Sequence, residues 1–137
     1  MSTEQPNFYS IALATFLGAV IAVMLNFCYY FFLESDHQIE LPQMVNALSV
    51  TLASAIGVVL GGITYFLLSR LTNKYSIAYM VIGIAATALS LIAPLQPILP
   101  DGSTAPEGFF ALILPMHLLA GATAVFVIPW YVKRSLA

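Results

Sequence analysis

FFALILPMHLLAGATAVFVIPWYVKR, running from Phe109 to Arg134, is the stretch whose reading decides the fold. No Asp, Glu, Lys or Arg falls between Phe109 and Val132, so the run exceeds the ~20 apolar residues that carry a helix across a bilayer. It ends on Trp130, Tyr131, Lys133 and Arg134, an aromatic-then-basic signature of a membrane–water interface. His117 is the only imidazole inside such an apolar run. Pro115 and Pro129 each remove a backbone N–H from the helix. Pro115 leaves the Ala111 carbonyl without its donor, and Pro129 does the same to Val125.

Outward from that helix, composition sets the solvent. The chain has 137 residues, 61% hydrophobic and 7% charged, where soluble domains carry about 25% charged residues. A soluble domain of this length leaves too much surface in water to hide that apolar fraction. The partner composition implies is therefore a lipid bilayer. Four basic residues and a net charge of -2 exclude a nucleic-acid surface. The single cysteine, Cys28, forms no internal disulfide, and a membrane thiol oxidoreductase needs a pair.

Four spans are expected, at about 8–33, 45–68, 75–95 and 109–132. The first is too long for a signal-peptide core and lacks a basic lead-in. Ala14, Gly18, Ala22 and Asn26 recur along it every four residues, a small-residue seam that admits a neighbouring backbone. The connection ESDHQIELP holds Glu34, Asp36, His37 and Glu40, and Pro42 suits the first turn of the next helix. One histidine with loop carboxylates falls short of a metal site, so no metal is expected.

In the second span Gly57 and Gly61 form a GxxxG motif, which predicts that both face another helix. Asn46, Ser49 and Ser54 line its early part. Thr72 or Asn73 is the expected N-cap of the third span, which Pro94, Pro97 and Pro100 break. Gly83, Thr87, Ser90 and Pro94 share one of its faces. Asp101-Gly102 supplies a turn, and Thr104 to Glu107 has capping-box spacing for the fourth helix. Gly18, Gly57, Gly61, Gly83 and Gly121 are the expected helix-packing positions. There is no internal repeat and no soluble domain.

An even number of spans puts both termini on one side. Arg70, Lys74, Lys133 and Arg134 all fall on that side, while every acidic residue except Glu4 falls on the other. The positive-inside rule therefore predicts cytoplasmic termini.

No span carries a charge near its middle, as proton-coupled pumps and drug antiporters require. The small multidrug transporters share four spans and this size, but they carry a glutamate in the first helix where this chain has Asn26. Small fluoride channels match in length yet have weak charge bias. A nucleophile paired with His117 would have no carboxylate to orient the imidazole, so catalysis is not expected. His117 then has three readings. It is a neutral histidine bonded within the bundle, a single axial ligand to a tetrapyrrole metal, or a contact to a small polar ligand.

Ser90 and Pro94 at the end of the third helix, with Met116, His117, Leu118, Ile128 and Pro129 in the last, resemble a bacterial family of integral membrane proteins catalogued as a domain of unknown function. The resemblance implies a four-helix fold in the bacterial inner membrane. It transfers no catalytic role.

The fold class is thus all-α: a polytopic membrane protein built as an antiparallel bundle of four transmembrane helices. Three functions are carried forward. The first is a non-enzymatic scaffold, either a homo-oligomer or a subunit of a larger membrane complex. The second is a binding or transport protein with a pocket in the outer leaflet, and the third a pigment- or haem-binding subunit through His117. The sequence requires no cofactor. Helical rise puts Asn26, Ser49, Ser90 and His117 at comparable depth. They are expected to face inward as one polar layer, either hydrogen-bonded to fix register or lining a pocket.

Overall fold

A computed structural model describes residues 5–35, 45–92, 95–96, 98–99, 102–105, 107 and 109–136. The expectations for Asp36, His37, Glu40, Pro42, Pro94, Pro97, Pro100 and Asp101 lie outside those residues. The chain folds as α1 (Phe8–Ser35), α2 (Ala47–Leu71), α3 (Tyr75–Ser90), α4 (Phe109–Ala122), a π-helical turn (Thr123–Val127) and α5 (Ile128–Ser135). The last three run on as one apolar rod, Phe109–Ser135, of 27 residues. Among the described residues it makes, with α1 and α2, three helices long and apolar enough to cross a membrane, while α3 is shorter at 16 residues. An all-helical bundle is the form lipid demands, since each backbone N–H and C=O must find its partner inside the protein.

The buried face of α1 is Ser10, Ile11, Ala14, Gly18, Ala22, Asn26, Tyr30 and Leu33. Those spacings of mostly three and four residues trace one stripe of a helix. The stripe meets Val50, Ser54, Val58, Gly62, Tyr65 and Ser69 of α2, spaced in the same way. Contact is closest at Gly62, where an added Cβ would collide with the Thr15 side chain. Gly18 faces Val58 at 3.2 Å from its would-be Cβ. Small residues matter here because apolar burial gives helices no reason to associate in lipid, so close van der Waals contact must do it.

Gly57 has no helix against it within the chain. A Cβ built there meets nothing within 4 Å of the same chain, so the expected contact within the chain is not made. The glycine that α1 packs against is Gly62, one residue past the motif, because a helix turns about 100° per residue. Gly61 does pack, against the Tyr79 hydroxyl at 3.1 Å and Ala124 Cβ at 3.2 Å. Gly83 and Gly121 also have close neighbours, Val125 and Thr87 respectively, and these hold α3 against the fourth rod.

The third helix stops earlier than expected. Leu91 and Ile92 close it with bonds to Ala88 and Leu89, three residues back, which tightens the last turn ahead of the prolines. Its N-cap is Lys74, not Thr72 or Asn73, although the Thr72 hydroxyl accepts from the Lys74 N–H at 3.2 Å. Thr104 and Glu107 do not form the expected capping box, because α4 begins only at Phe109. Leu99 folds back instead. Its N–H bonds the Ser103 carbonyl at 2.8 Å around Gly102, whose φ of 83° is left-handed.

Two apolar clusters result. Ile11, Val58, Tyr65, Tyr79 and Ile128 centre the half nearer the basic residues. Tyr30, Val50, Leu99, Phe109, Leu112 and Met116 centre the other.

Candidate functional site

Polar atoms inside lipid are costly unless paired, so the site begins with where each one finds a partner. Two prolines in the fourth rod create carbonyls lacking helical donors, and tyrosines from other helices supply them. The Tyr29 hydroxyl donates to the Ala111 carbonyl at 3.1 Å, the acceptor that Pro115 leaves free. Near Pro129 the relief is shifted by one residue from the sequence expectation. In a π register each donor lies five residues on, so Ala124 would need an N–H from residue 129, which is proline. The Tyr79 hydroxyl, on a side chain 1% exposed, donates to that carbonyl at 2.9 Å. Tyr79 was not singled out from sequence. The signal available was a proline deep in an apolar helix, which demands an outside donor.

Asn26 makes the side-chain bond that ties helices together at mid-bundle. It is 2% exposed, and its Nδ2 donates to Ser54 Oγ at 2.8 Å and to the Met116 carbonyl at 3.2 Å. The Ser54 proton goes to the Val50 carbonyl at 2.7 Å. Both neighbours can therefore only accept, which fixes the orientation of the amide. Its Oδ1 is buried without a partner.

The four residues expected to form one layer do share a space, but they do not bond to one another. Ser49 is the N3 residue of a capping box with Asn46, accepting from the Asn46 N–H at 2.9 Å. Ser90 donates to the Thr87 carbonyl at 2.7 Å. His117 Nδ1 lies 3.1 Å from the Ile113 carbonyl of its own helix. The four therefore do not bond to one another as a layer; of them only Asn26 bonds across helices, to Ser54 and the Met116 carbonyl.

What unites the four is a cleft of about 780 Å³, which Asn26, Ser49, Ser90 and His117 all line. Ile98, Leu99 and Phe109 stand at one end of it, and Tyr79, Thr64 and Val125 at the other. The fourth rod contributes His117, Gly121 and Ala124, while α2 and α3 form the sides. Ile56, Gly57 and Leu60 of α2 and Ile82 and Ala86 of α3 line it and are exposed. The cleft thus opens sideways, toward the surface that lipid would cover. It has this shape because α3 is held at its start by edge-to-face contacts of Tyr65 with Tyr75 and Tyr79. Higher up, α3 leans on the fourth rod through Gly83 and Gly121 and leaves α2 beside Gly57 uncovered.

Around the basic end, Arg70 donates to the Gln5 side chain at 2.9 Å and the Pro6 carbonyl at 3.2 Å, and stacks over Phe66. Arg134 lies over Trp130 at 4.6 Å. Among the described residues no group of three metal-ligating side chains occurs.

A helical bundle of membrane-spanning length, with a side-opening cleft and no charge inside it, defines the class: a small polytopic membrane protein. The chain belongs to the family of unknown function DUF6069, whose model matches residues 4–134. No curated protein and no solved structure matches it.

Proposed function

We propose that this protein acts without catalysis, by holding an apolar molecule from the bilayer in the cleft between α2 and α3. The observation that carries the reading is the cleft itself. Its volume of about 780 Å³ falls in the range of small-molecule sites, which run to roughly 300–1,000 Å³. From Ser49 to Thr64 it follows α2 for about 22 Å, the reach of a single lipid chain. The segregation of Arg70, Lys74, Lys133 and Arg134 supports cytoplasmic termini in a bacterial inner membrane. The His117 end of the cleft then belongs to the outer leaflet.

Gly57 makes a clean test possible, because a larger side chain there enters open space. A diazirine-bearing hexadecane should photolabel peptides carrying Ser49 to Thr64 and Ile82 to Ser90 in the purified protein. Gly57→Phe should abolish that labelling while leaving the melting temperature unchanged. Undiminished labelling in a stable Gly57→Phe protein would sink the reading.

A second reading has a homo-oligomer or a larger complex covering the same face. The exposure of Ala53, Ile56, Gly57 and Leu60 along α2 favours it. Native mass spectrometry separates the two: an oligomer that Gly57→Phe dissociates supports covering by protein rather than by a small guest.

A further inference from the structure

Among the described residues, eight polar side chains line the cleft: Asn26, Ser49, Ser54, Thr64, Tyr79, Thr87, Ser90 and His117. All eight have already committed their donors to the protein. Hydroxyl protons of Ser49, Ser54, Thr64, Thr87 and Ser90 go to carbonyls three or four residues back in their own helices. The Tyr79 proton goes to Ala124. Asn26 uses its amide nitrogen on Ser54 and Met116. His117 completes the set. Its Nδ1 faces the Ile113 carbonyl, which only accepts, so Nδ1 carries a proton. In the tautomer protonated at Nδ1 alone, the other ring nitrogen, Nε2, presents a lone pair. No Lys or Arg lines the cleft. Among the described residues, its polar wall therefore offers acceptors alone.

We infer that the cleft selects a neutral, single-chain lipid whose polar end is a hydroxyl, with that hydroxyl donating to His117 Nε2 and the chain running toward Tyr79. The inference rests on the cleft being a binding site, and it adds the chemistry of what enters. A carboxylate, phosphate or quinone carbonyl brings only acceptors. To be satisfied it must pull a hydroxyl away from its helix carbonyl, leaving that carbonyl unpaired in an apolar space. An alcohol fits without disturbing any existing bond. A hydroxyl buried beside an unused acceptor gains what the same chain ending in an ether loses, and one such bond corresponds to about tenfold in affinity.

The test is competition against the diazirine-bearing hexadecane, read as the concentration that halves cleft labelling. Hexadecanol and 1-methoxyhexadecane differ only in O–H against O–CH3. Hexadecanol should compete about tenfold more strongly than the ether, and more strongly than hexadecanoate. His117→Leu should weaken hexadecanol to the level of the ether and leave the ether unchanged. The Nδ1 bond of His117 lies within its own helix, so the variant loses no tie between helices. Equal competition by alcohol and ether in the wild type would overturn the inference yet leave the cleft a site for apolar guests. So would a preference for hexadecanoate, or a haem absorption band that disappears in His117→Leu. Labelling that ignores Gly57→Phe fails at the earlier step, and the two failures are thereby distinguished.

Discussion

Asn26 Nδ2 lies 2.8 Å from Ser54 Oγ, joining α1 to α2 at the level where the fourth rod offers the Met116 carbonyl. Three helices meet at this one amide, between the two apolar clusters. Side-chain hydrogen bonds across membrane helices are worth about 0.6 kcal/mol on average and rarely exceed ~1.7. Asn26→Leu should therefore lower stability by about 1 kcal/mol, and Ser54→Ala by less. Denaturation of the double variant should show the two losses to be non-additive. Additive losses would mean that the pair does not act as a unit.

Removal of the Tyr79 hydroxyl strands the Ala124 carbonyl beside Pro129. Tyr79→Phe should cost about 1–3 kcal/mol, the penalty of a buried acceptor left unpaired. Combined with Pro129→Ala, which restores an N–H, the loss should shrink. Thermal melts of the three variants check this, and an equal loss in both backgrounds would refute the link between proline and tyrosine.

Glycines one helical face apart should behave oppositely. Gly62→Leu drives a side chain into Thr15 and should destabilise by about 1–3 kcal/mol or undo the α1–α2 contact. Gly57→Leu enters open space and should be neutral or stabilising by up to about 1 kcal/mol, since leucine favours helix over glycine. Loss of stability in Gly57→Leu alone would place a neighbour over that face.

Orientation is testable independently of the cleft. A reporter fused after Ala137 should be active only in the cytoplasm, given the four basic residues at the ends of α2 and α5 and the start of α3. Activity on the opposite side of the membrane would reverse the assignment.

The fold was legible in the sequence because lipid imposes it: uncharged runs of membrane length leave few alternatives to helices. Which face of each helix lies inward was less so. The GxxxG spacing of Gly57 and Gly61 is real, yet α1 docks on Gly62, and spacing alone does not say which of two adjacent glycines turns toward a neighbour. That Asn26, Ser49, Ser90 and His117 would share one space was legible from depth and the cost of polar groups in lipid, and all four line the cleft. Their partners did not follow, because Ser49 and Ser90 satisfy themselves within their own helices and only Asn26 reaches across. The π turn was hidden as well. Pro129 announces a missing donor, but which carbonyl is left over depends on how the helix winds around the gap.

The brevity of α3 has a mechanical consequence. Its 16 residues span about 24 Å, while α1 with 28 residues spans about 42 Å. A hydrocarbon core about 30 Å thick is thus exceeded by α1, α2 and the fourth rod, while the helical part of α3 alone falls ~6 Å short of it. The missing helical length lies on the flank where the cleft opens, and beyond Ser90 the exposed Ile92, Leu95 and Ile98 carry the apolar surface onward without a regular helix. If the cleft holds a bilayer guest as proposed, a thicker membrane would strain this flank first, and lipid thickness would tune access to the cleft from the side.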